Sequence, residues 1–149
     1  VSHYVQLLSA YTDKTRCVEA LVATGVPREH IEVHEVAQPL IDYRGNPTHY
    51  RYQDANDARF KLGDKAHIII RRRNVGGAAN DVGIYVDPEG KSVVFISEHE
   101  RRCSKFNDRW SKQVRMQYDA LMMEAKAKAL GKPFQKIVKG NKIYTAIGV

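Results

Sequence analysis

The chain has 149 residues, 43% of them apolar and 28% charged, a composition that fits one folded domain with a core of its own and excludes a disordered or disulfide-scaffold protein. No apolar run approaches the roughly 18–20 residues of a membrane span, and Val1-Ser2-His3-Tyr4 lacks the basic, apolar and small-residue order of a signal peptide. The net charge of +7 is unevenly placed: residues 1–100 carry 12 Lys/Arg against 14 Asp/Glu, and residues 101–149 carry 12 against 3.

In chain order, an opening strand is expected over residues 2–10. Thr12 and Asp13 then offer an N-cap oxygen. Cys17, Val18, Leu21 and Val22 recur at helical spacing, and Gly25 with Pro27 closes a helix over about 13–24. From His30 to Val36 the pattern alternates, with Ile31 and Val33 on one side and His30, Glu32 and His34 on the other. Residues 38–65 are the least legible. The run Asp42–Pro47 is dense in turn formers, Tyr50 and Tyr52 suit a short strand, and Asp54–Lys65 reads as a loop or short helix.

Ala66–Arg72 is a strong strand, with Ile68, Ile69 and Ile70 at its centre. A Gly-rich connection, Asn74–Asn80, leads to strands over 81–86 and 92–97, joined by the type I turn sequence Asp87-Pro88-Glu89-Gly90. A long helix is expected from about 101 to Leu130. Phe106, Trp110, Val114, Tyr118, Leu121, Met122 and Ala125 form its apolar sector, and Gly131 and Pro133 stop it. Strands over 134–138 and 142–147 close the chain across Gly140-Asn141. The fold class is therefore α+β: a single domain over 1–149 whose mainly antiparallel sheet, a meander plus a C-terminal hairpin, carries two main helices on one face.

Four stretches resemble a family. They are the Ser2-His3-Tyr4 strand leading into Arg16-Cys17-Val18-Glu19-Ala20-Leu21, the strand Ala66–Arg71, Asp81-Val82-Gly83-Ile84-Tyr85, and the end from Tyr118 to Val149. The chain resembles the conserved open-reading-frame family of algal plastids, cyanobacteria and phages, a domain without an established activity. The family tends to carry tryptophan after the meander, where this chain reads Ile96-Ser97-Glu98-His99. The resemblance implies a fold type and, because gene context sometimes links members to ring-forming ATPases, a hint of an adapter role. It also fits the expected location, the cytoplasm, or a plastid stroma or host cytoplasm.

The candidate interface is basic. If the helix begins near 101, Arg101, Arg102, Lys105, Arg109, Lys112 and Arg115 line the sector opposite its apolar side, and Arg71, Arg72 and Arg73 end one strand. Lys132, Lys136, Lys139 and Lys142 flank the last hairpin. Such an array gains affinity for nucleic acid by releasing counterions, and Phe106 and Trp110 among the cations either stack on bases or pack in the core. An acidic protein partner, such as an AAA+ type ATPase, is the alternative, and no membrane partner is expected.

The remaining motifs are weaker. His30, Glu32 and His34 share a strand face and carry metal-ligand chemistry, but their bland reading is a polar strand side. The Gly-rich connection lacks both the dinucleotide fingerprint and the P-loop ending. Cys17 belongs to the core, and Cys103, beside Arg102, is a bystander thiol. No cofactor, catalytic or metal residues are assigned. Binding rather than catalysis is the expectation, with a metal-dependent or His-based hydrolase third.

Overall fold

A computed structural model describes the backbone of residues 4–9 and the whole of residues 11–49 and 57–148. The expected strand at Tyr50 and Tyr52 lies outside these residues. Strand β1 (Tyr4–Ser9) leads to helix α1 (Lys14–Ala23). Asp13 caps α1, accepting from the Arg16 amide at 3.1 Å, and Gly25 (φ 101°) ends it as the sequence predicts.

A single 3-10 turn, Arg28–His30, precedes β2 (Ile31–Pro39). β3 (Lys65–Ile70), β4 (Val82–Tyr85) and β5 (Ser92–Ser97) complete the meander. The sheet has five antiparallel strands in the order β1-β5-β4-β3-β2. The β4–β5 turn forms as expected, with the Gly90 amide donating to the Asp87 carbonyl at 2.9 Å.

Both sheet faces are covered. On the first, Ile31, Ile68, Ile70, Val82, Ile84, Val94 and Ile96 pack against Cys17, Val18 and Leu21 of α1 and against Phe106, Val114 and Tyr118. Burial pushes the Cys17 thiol up to about 12, so it serves as a small apolar residue. On the second face, Leu40 and Phe60 close over Ala66, Ile69, Val93 and Phe95. The least legible segment of the sequence thus supplies half of the sheet's cover. Its Asp42–Pro47 turn is held by the Asp42 carboxylate, which accepts from the Arg44 and Asn46 amides at 2.9 Å each.

Val33 departs from expectation. It is 42% exposed, because β2 is an edge strand with a bulge between Val33 and Gln38.

The long helix departs further. It is two helices: α2 (Glu98–Cys103), capped by Ser97, and α3 (Asp108–Ala129). Between them Ser104 is extended, and its hydroxyl donates to the Glu100 carbonyl at 2.7 Å and accepts from the Phe106 amide at 3.0 Å. This break turns Phe106 into the core, where it is 1% exposed, and Asn107 starts α3 by accepting from the Trp110 amide at 3.0 Å. α3 then holds both ends of α1. The Tyr118 hydroxyl accepts from the Thr12 and Asp13 amides at 3.0 and 3.2 Å, and Trp110 Nε1 donates to Thr24 Oγ1 at 3.0 Å.

Candidate nucleic-acid interface

The break in the helix redistributes the basic stripe. Arg101 and Arg102 belong to α2, Lys105 to the link, and Arg109, Lys112 and Arg115 to α3. Several of the expected contact residues spend their charge inside the molecule. Arg101 Nε meets Asp108 Oδ1 at 2.8 Å across the break, Arg102 pairs with Glu98, and Arg115 Nε pairs with Asp119 Oδ1 at 3.1 Å.

The strand-end cluster divides in the same way. Arg71 Nε donates to Glu32 Oε2 at 3.0 Å and its Nη1 to the fully buried Asp81 Oδ2 at 2.9 Å. Arg72 donates from its amide to Asp81 Oδ1 at 2.7 Å and from Nη1 to the Tyr43 carbonyl at 2.8 Å. Both therefore tie the 38–48 segment to the end of β3. Arg73 is exposed and forms no ion pair among the described residues.

Nor does the His30, Glu32 and His34 face converge on an ion. His30 ends the 3-10 turn before the strand. Burial raises the Glu32 carboxyl's pKa, but hydrogen bonds from Arg71 and from His34 Nε2 (2.9 Å) outweigh it and hold the group below its usual range. Phe106 and Trp110 are likewise committed, edge to face at 4.7 Å, to the core and its rim.

Besides Arg73, the expected cations that stay exposed and form no ion pair among the described residues lie in the link before α3, on α3 and on the closing hairpin. Lys105, Arg109 and Lys112 are exposed, with the Lys105 ammonium 5.3 Å from the Phe106 ring centre. After Glu124 the chain holds six lysines and no carboxylate. None of Lys126, Lys128, Lys132, Lys136, Lys139 and Lys142 forms an ion pair among the described residues, and all six are exposed.

The hairpin, β6 (Phe134–Lys139) and β7 (Lys142–Ile147), is a two-stranded sheet of its own rather than an extension of the meander. It lies against α3. The connection is tightly specified. The Lys132 amide donates to the Ala127 carbonyl at 2.9 Å and the Gly131 amide to Lys128 at 3.1 Å, a Schellman close with Gly131 at φ 64°. The Gly148 amide bonds the Pro133 carbonyl at 2.7 Å and shuts the base of the hairpin. At the tip, Gly140 (φ 61°) takes the first central turn position, and Gln113 Nε2 donates to the Asn141 carbonyl at 2.9 Å.

No family model, curated protein or solved structure matches this chain.

Gln113, Ala120 and Ala127 recur every seven residues on one side of α3, and both alanines are buried. The Gln113–Asn141 bond shows that this side faces the hairpin, so the alanines let the ribbon approach closely. The apolar sector read from the sequence is the other side, facing α1. The alanine stripe was missed because alanine is equally at home on a solvated helix face. Its only sequence signal is its seven-residue recurrence.

One consequence is electrostatic. Arg109 lies one helical turn before Gln113 on the same side, and Lys112 is its neighbour. The tip bond ties the backbone of the Gly140-Asn141 turn to this side of α3, while Lys139 and Lys142, directly opposite each other at the tip, share the ribbon face turned away from the helix.

Among the described residues, no group of three His, Cys, Asp or Glu side chains stands close enough to hold a metal ion. No helix among them is long and apolar enough to cross a membrane.

Proposed function

We propose that this protein binds nucleic acid through the exposed cations of α3 and the β6–β7 hairpin. The observation that carries the reading is the run after Glu124: six exposed lysines without an ion pair among the described residues, no carboxylate, and a hairpin tip tied to Gln113, one helical turn after Arg109. Cations engaged by neighbouring carboxylates have little left to offer phosphates. Unpaired ones release condensed counterions on contact, and that release drives sequence-independent affinity.

The reading keeps Arg73, Lys105, Arg109 and Lys112 from the contact set expected from sequence and adds the hairpin lysines. It assigns Arg71, Arg72, Arg101, Arg102 and Arg115 to the fold and its surface pairs. Titration of a labelled oligonucleotide over a range of salt concentrations tests it. Binding at low salt should fall steeply, with log K linear in log salt and a slope of about −0.7 to −0.9 per phosphate engaged. Absence of binding to DNA or RNA at low salt would overturn it.

A second reading rests on a different observation. Ile137 and Tyr144, directly opposite each other on the hairpin, are each 53% exposed beside the Lys139–Lys142 pair. An apolar pair beside two cations also suits an acidic protein surface, and the resemblance to a family linked to ring-forming ATPases gives that partner a class. Affinity purification separates the two readings, since a stoichiometric partner that survives nuclease treatment belongs to the second.

A further inference from the structure

The hairpin has a shape as well as a charge, and the shape selects among nucleic acids. Residues directly opposite in an antiparallel pair share a face. The register Gln135↔Ala146, Ile137↔Tyr144 and Lys139↔Lys142 therefore puts these six side chains on one face, and all six are exposed. The other face turns Ile143, Thr145 and Ile147, half-buried, towards α3. On β6 the same face carries Lys136 and Val138, both exposed, so the 22-residue helix backs the ribbon through β7; the ribbon is pinned at its tip and base and its outer face is open.

Three properties of that face point the same way. First, its size: six-residue strands at about 3.4 Å per residue span roughly 20 Å, and two strands about 4.8 Å apart fit a B-form major groove roughly 12 Å wide. Second, its charge: Lys139 and Lys142 are directly opposed, a like-charge pair that destabilises a free hairpin and is relieved by an anion. Third, its chemistry. A carboxamide, two ammonium groups, a phenol and apolar Ile137 and Ala146 are the groups that meet base edges in that groove: amide to adenine, lysine to guanine, apolar side chain to the thymine methyl.

We propose that the outer face of the β6–β7 ribbon enters the major groove of duplex DNA, with Arg109 and Lys112 on flanking phosphates. This rests on the nucleic-acid reading above and narrows it. The major groove of A-form RNA is too deep and narrow to admit the ribbon, and a single strand presents no groove.

Dimethyl sulfate probing of a mixed-sequence DNA duplex saturated with the full chain tests the proposal, because the reagent methylates guanine N7 in the major groove and adenine N3 in the minor groove. Guanine N7 methylation should fall at least about threefold while adenine N3 stays as in free DNA. The same sequence as duplex RNA should bind about tenfold more weakly or worse. The double variant Ile137→Glu/Tyr144→Glu alters only outward positions, and its fold is checked by circular dichroism. Folded, it should lose the N7 protection.

DNA that is retained but methylated at N7 as when free would overturn the ribbon proposal and leave the nucleic-acid reading standing. So would duplex RNA or single strands bound as tightly as duplex DNA. Failure to retain any nucleic acid at low salt would remove both.

Discussion

Gly83 lies in β4, opposite Ile69 and Phe95. A Cβ there would stand 2.8 Å from both the Ala66 Cβ and a Leu40 methyl. The bare Cα is what lets Leu40 seat against the sheet. Gly83→Ala should therefore destabilise by about 1–3 kcal/mol, read as a lower urea midpoint at unchanged slope. His67 makes a different demand. Its Nδ1 accepts from the Val86 amide at 3.0 Å, which only the neutral ring can do at that nitrogen. Burial, and after it the Lys14 and Lys65 cations, lower its pKa against the partial offset of Asp87 and Glu35. Below the unfolded value of about 6.5 the unfolded chain then binds more protons than the folded one. Stability from this group is complete above that pH and erodes as pH falls towards the lowered folded value. Thermal melts between neutral pH and the onset of carboxylate titration should show this decline, and His67→Gln should flatten it.

At the scale of elements, α1, the meander and its turns were legible because each carries its own stop and start: Asp13 and Gly25 for α1, Asp87 and Gly90 for the β4–β5 turn. The break before α3 was missed for a physical reason. Phe106 falls on the apolar sector whether or not the helix is continuous, so periodicity alone could not expose the interruption. The signal was local: Ser104 and Asn107, each able to bond a nearby amide and compete with helix. The described parts of segment 38–65 were illegible beyond the Asp42–Pro47 turn because their placement comes from contacts distant in sequence. The Ile41 amide, for example, reaches Asp81 Oδ2 at 2.7 Å. The hairpin was found, but its separation from the sheet was not, because a strand's sequence does not name its neighbour. Its anchor gives an element-scale prediction. Gln113→Ala removes the tip bond, so amides of β6 and β7 should exchange with deuterium several-fold faster while the melting temperature of the domain stays within about 2 °C.

Across the whole molecule, the charge asymmetry was plain in the sequence, but its meaning was not. Sequence marks which residues are cationic, and only the fold shows which cations are already answered. Arg71 was expected at an interface and sits between Glu32 and Asp81. Lys139 and Lys142 are expected beside the basic stripe, and the Gln113–Asn141 bond ties the turn between them to α3. The central claim is that contact with nucleic acid follows the unanswered cations and not the overall net charge. Two charge-matched variants test this most directly. Lys112→Gln/Lys139→Gln/Lys142→Gln and Arg101→Gln/Arg102→Gln/Arg115→Gln each remove three positive charges. The measurement is the slope of log K against log salt for one oligonucleotide. The account predicts that the lysine variant makes the slope shallower by about two to three, while the arginine variant changes it by less than about one. Equal loss in the two variants, or the larger loss in the arginine variant, would contradict it.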